Sequence, residues 1–217
     1  MTTTDRAPAG ELPFDAVLCD IDNVIRFYDH TELTRRETAA GLPAGTTARV
    51  AFSEGVDPGL LTGLKSRREW LDDVRRDLCA RMPEETARHL TEAFASSPTR
   101  ADEDVLELLL AAQRCVPVVL VTNASTDLDA ELEPLGFAEH FAGRIVNSAR
   151  VGVAKPDPEI YTLAAGVAGV AADRCLFVDD RRENVDAAVA LGMTGVHYRV
   201  PDDLRTALTP VLDPVRR

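Results

Sequence analysis

Ala16-Val17-Leu18-Cys19-Asp20-Ile21-Asp22 is a run of four apolar residues leading directly into two carboxylates. The run is too short for a self-sufficient helix, and its apolar residues do not alternate with polar ones. It therefore reads as a strand buried on both faces. Three further runs share the character: Val118-Val119-Leu120-Val121 leads into Thr122-Asn123, Cys175-Leu176-Phe177-Val178 leads into Asp179-Asp180, and Gly195-Val196-His197-Tyr198 completes the set. Helical patterns lie between them. Asp102 to Arg114 places Val105, Leu106, Leu108, Leu109 and Leu110 behind an acidic first turn. Thr126 to Leu135 opens on a candidate cap, Thr126, and stops near Pro134 and Gly136. Pro158 to Val167 and Glu183 to Leu191 continue the alternation. Strands alternating with helices predict an α/β fold with a doubly wound parallel sheet, whose ligands sit at the carboxyl ends of the strands.

From about Asp29 to Ser97 the alternation stops. This stretch shows no convincing strand, only helical segments punctuated by Gly41, Pro43, Gly55, Pro58, Gly63 and Pro83. Ser66 to Met82 is the clearest, with Trp70, Leu71, Val74 and Leu78 on one stripe and arginines opposite. Pro83 is expected to open the next helix as its first residue. The length far exceeds an ordinary crossover, so the expected organisation is a core of residues 1–28 and 98–217 with a helical insert over 29–97. Val200 to Arg217 is read as a closing helix whose basic end, Arg216-Arg217, frays.

The 217 residues carry a formal net charge of −12, with 45% hydrophobic and 28% charged residues. That balance fits a globular chain and excludes the basic footprint of a nucleic-acid binder. No apolar stretch approaches the roughly 20 residues of a membrane span. Met1 to Gly10 has neither a basic start nor an apolar centre, so it reads as a frayed tail and not as a secretion signal. Cys19, Cys79, Cys115 and Cys175 are scattered without a close pair, which suits reduced, buried thiols in a cytoplasmic protein.

In a parallel sheet the polar residues that follow the strands converge on one edge, and the residue types found there suit phosphoester hydrolysis. Such a reaction needs a nucleophile, a proton donor for the leaving alkoxide, and positive charge around the phosphoryl oxygens. Asp20 can attack as a carboxylate. Asp22 can protonate the leaving group and then deprotonate water. Thr122 and Asn123 can donate hydrogen bonds to phosphoryl oxygens, and Lys155, ahead of Pro156-Asp157-Pro158, can neutralise one of them. Three or four carboxylates gathered this closely repel one another. A hard divalent cation, Mg²⁺, resolves that conflict.

At these residues the chain resembles the haloacid dehalogenase (HAD) superfamily. The matching pieces are AVLCDIDNVI, VVLVTNAS, VGVAKPDPEIY and CLFVDDRRENVDAA, in family order and spanning Phe14 to Tyr198. The resemblance implies a Rossmann-like core, with the helical insert as a cap over a small phosphorylated substrate. It implies Asp20 as nucleophile and Asp22 as acid/base, the latter also lending a backbone carbonyl to Mg²⁺. Thr122 and Lys155 match phosphate-binding positions, Asp180 a direct metal ligand, and Asp179 a further metal-site acid. Asn184 falls where members carry an acid or an Asn that orients the metal site. Two positions depart from the usual pattern. Asn23 replaces a frequent Gly, and Asn tolerates the left-handed backbone better than most residues. Asn184 replaces a third carboxylate.

Other chemistries run on the same scaffold. Halide displacement needs neither a proton donor nor a metal, so Asp22 and the acidic pair would have no task. Phosphonate cleavage through an imine needs a lysine in the insert, where Lys65 is the only one. A phosphomutase, or a non-catalytic binding protein on the scaffold, are the alternatives to a phosphatase. Arg67, Arg68, Arg75 and Arg76 read as a solvated basic face. Arg26, Tyr28 and His30 are candidates for lining the cleft between insert and core.

Overall fold

The computed structural model describes residues 12–53 and 55–213. The tail expected at Met1–Gly10 and the fraying Arg216-Arg217 lie outside the described residues. In chain order the strands are β1 (Ala16–Cys19), β2 (Arg26–Tyr28), β3 (Thr99–Ala101), β4 (Val118–Thr122), β5 (Ile145–Asn147), β6 (Cys175–Asp179) and β7 (Thr194–His197). The helices are α1 (Thr31–Ala39), α2 (Thr46–Ala51), α3 (Pro58–Leu61), α4 (Arg67–Cys79), α5 (Glu84–Ala95), α6 (Glu103–Gln113), α7 (Leu128–Leu132), α8 (Ser148–Val151), α9 (Pro158–Ala168), α10 (Arg182–Ala190) and α11 (Pro201–Leu212).

Five strands form one parallel sheet in the order β5-β4-β1-β6-β7. The predicted α/β doubly wound architecture is therefore present, and the burial of β1 shows why. Val17 and Cys19 face one side, where they pack with residues of α6, α7 and α11; Ala16 and Leu18 face the other, against α9 and α10. All four are fully buried, as a strand covered on both faces requires. No described helix is long and apolar enough to cross a membrane.

The structure adjusts several sequence expectations. Predicted Thr126–Leu135 is shorter: α7 covers Leu128–Leu132, and Glu133–Leu135 tightens into a 3₁₀ turn. Pro134 has no N–H to give and its ring crowds the carbonyl four residues back. Pro83 stands just outside α5, with an extended backbone, instead of being its first residue. Cys19 and Cys175 are buried, but Cys79 and Cys115 are exposed free thiols, against the expectation for them.

Residues 31–95 form five helices around their own apolar cluster, which includes Leu33, Trp70, Val74, Leu78 and Leu90. α4 starts on a capping box, in which Ser66 and Glu69 exchange side-chain and backbone hydrogen bonds. Glu37 is fully buried, and its carboxylate accepts from the amides of Gly45 (2.6 Å) and Thr47 (2.7 Å), tying α1 to the start of α2. The chain enters and leaves this helical unit through an antiparallel ribbon, β2 on β3, in which Tyr28 pairs with Thr99. Gly63 marks a contact with the core: a Cβ there would lie 2.3 Å from the carbonyl oxygen of Ala149.

Candidate active site

The three central strands bring their polar ends together because β1 lies between β4 and β6. Asp20 follows β1, Thr122 ends β4 and Asp179 ends β6. Lys155 reaches the same place from the loop before α9. Its ammonium donates to Asp20 Oδ1 (2.8 Å), Asp179 Oδ2 (2.7 Å) and the carbonyl of Val121 (2.9 Å). Asp20 Oδ1 also accepts from the Ile21 amide at 2.7 Å, so both bonds fall on one oxygen. Asp179 is fully buried and accepts from Asn184 Nδ2, 3.0 Å from each carboxylate oxygen, and from the Arg181 amide. Asn184 is itself buried, and its carbonyl accepts from the Tyr161 hydroxyl at 2.9 Å.

One carboxylate oxygen from each of Asp20, Asp179 and Asp180 lies within 4.8 Å of the others. Burial pushes the Asp20 carboxyl up to about 8; Lys155 opposes that rise and Asp179 adds to it. Asp180 is raised as well, first by burial and then by Asp179, with the Asn23 amide acting the other way through a hydrogen bond. Burial works against the Lys155 charge, but the Asp20 and Asp179 carboxylates outweigh it and raise its pKa. Once all three carboxylates are ionised, they leave two negative charges in excess of the one ammonium. Hard oxygen donors with that excess suit a small divalent cation.

Thr122 Oγ1 is buried and has no hydrogen-bond partner. An orphaned hydroxyl in the cavity that Lys155 also lines suits an anionic oxygen as its missing partner. Asn123 is placed differently from the expectation that its side chain donates to phosphate. Its Nδ2 donates to the Lys155 carbonyl, and its Oδ1 accepts from the Lys155 amide, both at 2.8 Å. That pair positions the lysine loop. Asn23 has φ of 62°, the left-handed conformation expected of it, and its amide contact with Asp180 was not foreseen.

Asp22 stands apart from the carboxylate cluster. Its two oxygens accept from Arg26 Nε (2.6 Å) and Nη2 (2.9 Å). Arg26 is 1% exposed, and its Nη1 also reaches Glu131 of α7 at 3.1 Å. Glu131 meets Arg67 of α4 at 3.0 Å. Arg67 thus leaves the solvated face predicted for it and joins an ion-pair chain running from Asp22 through the ribbon to the helical unit. Arg75 and Arg76 do pair at the surface, with Asp72 and Asp73. Lys65 is held by Asp57 (2.5 Å) and Asp73 (2.7 Å). Those hydrogen bonds raise its pKa and keep it charged, which removes the free amine that imine formation requires.

A cavity of about 570 Å³ joins these parts. Asp20, Asp22, Thr122 and Lys155 form its floor, and Tyr28, His30, Phe52, Trp70 and Phe94 are among its walls.

The family model of haloacid dehalogenase-like hydrolases matches residues 14–192. Phosphatase MT3486 of Mycobacterium tuberculosis is 29% identical over 200 residues, covering 84% of this chain and 86% of that protein. A phosphoserine phosphatase of Thermus thermophilus is 31% identical over 145 residues, 62% of this chain and 58% of that protein. Five of the curated relatives are matched over only 24–58% of their own length. Among solved structures, a HAD family enzyme of Bacteroides thetaiotaomicron in complex with magnesium and inorganic phosphate superposes with a TM-score of 0.62. It is 20% identical and covers 83% of this chain and 92% of that chain.

Proposed function

Since the chain belongs to the haloacid dehalogenase-like hydrolases, we propose that it is a Mg²⁺-dependent phosphatase of small phosphomonoesters, with Asp20 as nucleophile. The observation that carries this reading is the cluster of Asp20, Asp179 and Asp180 around the buried Lys155. Displacing a halide would give neither the excess carboxylates nor Asp22 a task. A phosphoryl group needs all of them. The relative from Mycobacterium is named a phosphatase, and the Bacteroides enzyme holds magnesium with inorganic phosphate; both accord with the proposal.

Asp20, Asp179 and Asp180 are the residues that would hold Mg²⁺. When bound, the ion supplies positive charge that neutralises the carboxylates and the phosphoryl oxygens. The remaining chemistry belongs to side chains. Asp20 Oδ1 is pinned by Ile21 and Lys155, so attack is assigned to Oδ2. That oxygen bonds to phosphorus, the ester P–O bond breaks, and Asp22 gives its proton to the departing alkoxide. Asp22 then takes a proton from water as the water oxygen attacks phosphorus. The acyl-phosphate P–O bond breaks, releasing inorganic phosphate and restoring Asp20. Thr122 Oγ1 and Lys155 bind phosphoryl oxygens. Because Arg26 occupies both oxygens of Asp22, one of those bonds opens when Asp22 carries its proton. We assign residues 29–97 the role of a cap that excludes water from these steps.

The direct experiment is hydrolysis of a panel of phosphomonoesters with Mg²⁺, using Asp20→Asn as the blank. Turnover is expected without any bisphosphate activator. No hydrolysis across the panel, with no cation binding by calorimetry, would leave the non-catalytic reading in its place. Asp22→Asn separates the two carboxylates. Turnover of an alkyl phosphate is expected to fall by roughly 10²–10⁴-fold, whereas 4-nitrophenyl phosphate, whose leaving group needs no proton, still gives a burst of nitrophenolate. Equal losses in that first step for both esters count against Asp22 as the acid.

Cation binding also links to pH. In the metal-free protein the folded Asp20 sits near 8, above its ordinary 3.8, so the folded state keeps a proton that the unfolded chain has released. The stability of the metal-free protein from this group therefore declines as pH rises from about 4 through about 8. Mg²⁺ displaces that proton. The rise in thermal midpoint on adding Mg²⁺ is expected to be larger at pH 8 than at pH 5, by about 2–4 °C for each kcal/mol in a chain of this size. Scanning calorimetry with and without Mg²⁺ at both pH values measures it, and an equal or larger rise at pH 5 contradicts it.

A further inference from the structure

Part of the cavity lining is aromatic. The chain contains one Trp, three Tyr and seven Phe, and Trp70, Tyr28, Phe52 and Phe94 all line this cavity. Their rings make a continuous set with His30. Tyr28 stacks on His30 (centroids 5.8 Å, interplanar 8°), His30 on Phe94 (6.1 Å), and Phe94 meets Trp70 (6.0 Å) and Phe52 (6.1 Å). Nδ1 of His30 lies 2.9 Å from Ser97 Oγ, which fixes that ring. Core packing does not account for all of them, because Tyr28 and Phe52 are 41% and 43% exposed. Large aromatic faces left open beside a catalytic floor are contact surface for a ligand.

The charges on this lining narrow the ligand further. Arg26 is held by Asp22 and Glu131, Arg67 by Glu131 and the Ala95 carbonyl, and Arg181 by Glu183. Among the described residues each arginine lining the cavity already has a carboxylate partner, so none is left unpaired for a second anionic group on the substrate. Branched aliphatic residues, Val56, Leu60 and Leu61, extend the apolar part of this lining. A volume of about 570 Å³ falls within the roughly 300–1,000 Å³ of pockets that enclose drug-sized ligands.

Building on the phosphatase reading, we infer that the substrates are phosphomonoesters whose leaving alcohol carries an uncharged aromatic ring system. The ring stacks within the Tyr28–His30–Phe94–Phe52–Trp70 wall while the phosphoryl group rests on Asp20, Thr122 and Lys155. Phosphorylated carboxylic acids, which need a free cation beside the leaving group, are the disfavoured class.

Trp70 is the chain's one tryptophan, so its fluorescence reports ring binding whether or not turnover occurs. The probe is 2-(4-nitrophenyl)ethyl phosphate, whose nitro ring quenches tryptophan and whose leaving alcohol is aliphatic. Ethyl phosphate and phosphoglycolate are the comparators. With Mg²⁺ the wild type is expected to hydrolyse the nitrophenylethyl ester with kcat/KM at least about 10-fold above ethyl phosphate. Asp20→Asn is expected to show saturable quenching by the same ester. Phe52→Ala, at a half-exposed position that folding tolerates, is expected to lower the nitrophenylethyl-to-ethyl ratio of kcat/KM at least about 5-fold. Hydrolysis of all three esters with no aromatic preference and no quenching overturns the substrate class and leaves the phosphatase reading standing. Quenching without hydrolysis of any ester supports the aromatic site and overturns the phosphatase reading. Neither hydrolysis nor quenching overturns both.

Discussion

Replacing Asp20 by Asn is expected to lower phosphomonoester turnover by at least about 10³-fold, because under the proposed mechanism it removes the oxygen that attacks phosphorus. The thermal midpoint of the metal-free protein is expected to stay the same or to rise. Asn keeps the size and shape of the side chain. It also removes a buried carboxylate whose desolvation pushes its pKa up to about 8, and Lys155 keeps Asp179 as a partner at 2.7 Å. Activity and stability should therefore move independently. Steady-state kinetics paired with scanning calorimetry measures both. A variant that retained a tenth of the activity would remove Asp20 from the nucleophile's role, and one that failed to fold would show that the carboxylate is structural.

Lys155→Met is expected to do the opposite and strike both quantities. The lysine side chain is 1% exposed, and its partners Asp20 and Asp179 are 8% and 0% exposed. Removing the cation leaves two buried carboxylates facing each other without compensation. Breaking buried pairs of this kind costs about 3–5 kcal/mol, a fall in thermal midpoint on the order of 10 °C for a chain of this length. Turnover should also fall at least about 10²-fold, since the proposed mechanism loses the buried ammonium assigned to the phosphoryl oxygens. The physical cause is open to a direct check. Adding Asp20→Asn to Lys155→Met removes one of the unpaired carboxylates, so Asp20→Asn should raise the midpoint more in the Lys155→Met background than in the wild type. Strict additivity, or a further fall, would mean that packing and not charge dominates at this position.

What could be read from the amino-acid order, and what could not, follows from the range of the interactions. β1, β4 and β6 were legible because each is a short apolar run buried on both faces, and their order in a doubly wound sheet brings Asp20, Thr122 and Asp179 to one edge whatever the loops do. β5 was not, because Ile145–Asn147 is three residues long and too short to show a period. The β2–β3 ribbon was equally hidden: Arg26–Tyr28 finds its partner only at Thr99–Ala101, and no local pattern announces a pairing across that distance. The site divides in the same way. Asn184 against Asp179 follows from a motif and one helical turn. The chain of Asp22, Arg26, Glu131 and Arg67 joins three segments remote in sequence, so Arg67 looked like an ordinary exposed arginine. Asn123 carried a misleading signal: a polar side chain at a strand end suited phosphate, yet both its polar atoms serve the Lys155 backbone.

The pairing of Tyr28 with Thr99 has a consequence for how such a protein can change. The chain leaves the core and returns to it at neighbouring points, so everything between them is a closed excursion. Beyond its two ends the excursion meets the core at points such as Gly63 on Ala149 and Arg67 with Glu131, and the length and content of the rest are loosely constrained, since extending a loop whose ends already meet costs little additional entropy. In genetic terms residues 29–98 are a cassette. Under the proposed function, selection or an engineer can rewrite which alcohols are admitted by exchanging that cassette, while the sheet edge that holds Asp20, Thr122 and Asp179 is inherited unaltered.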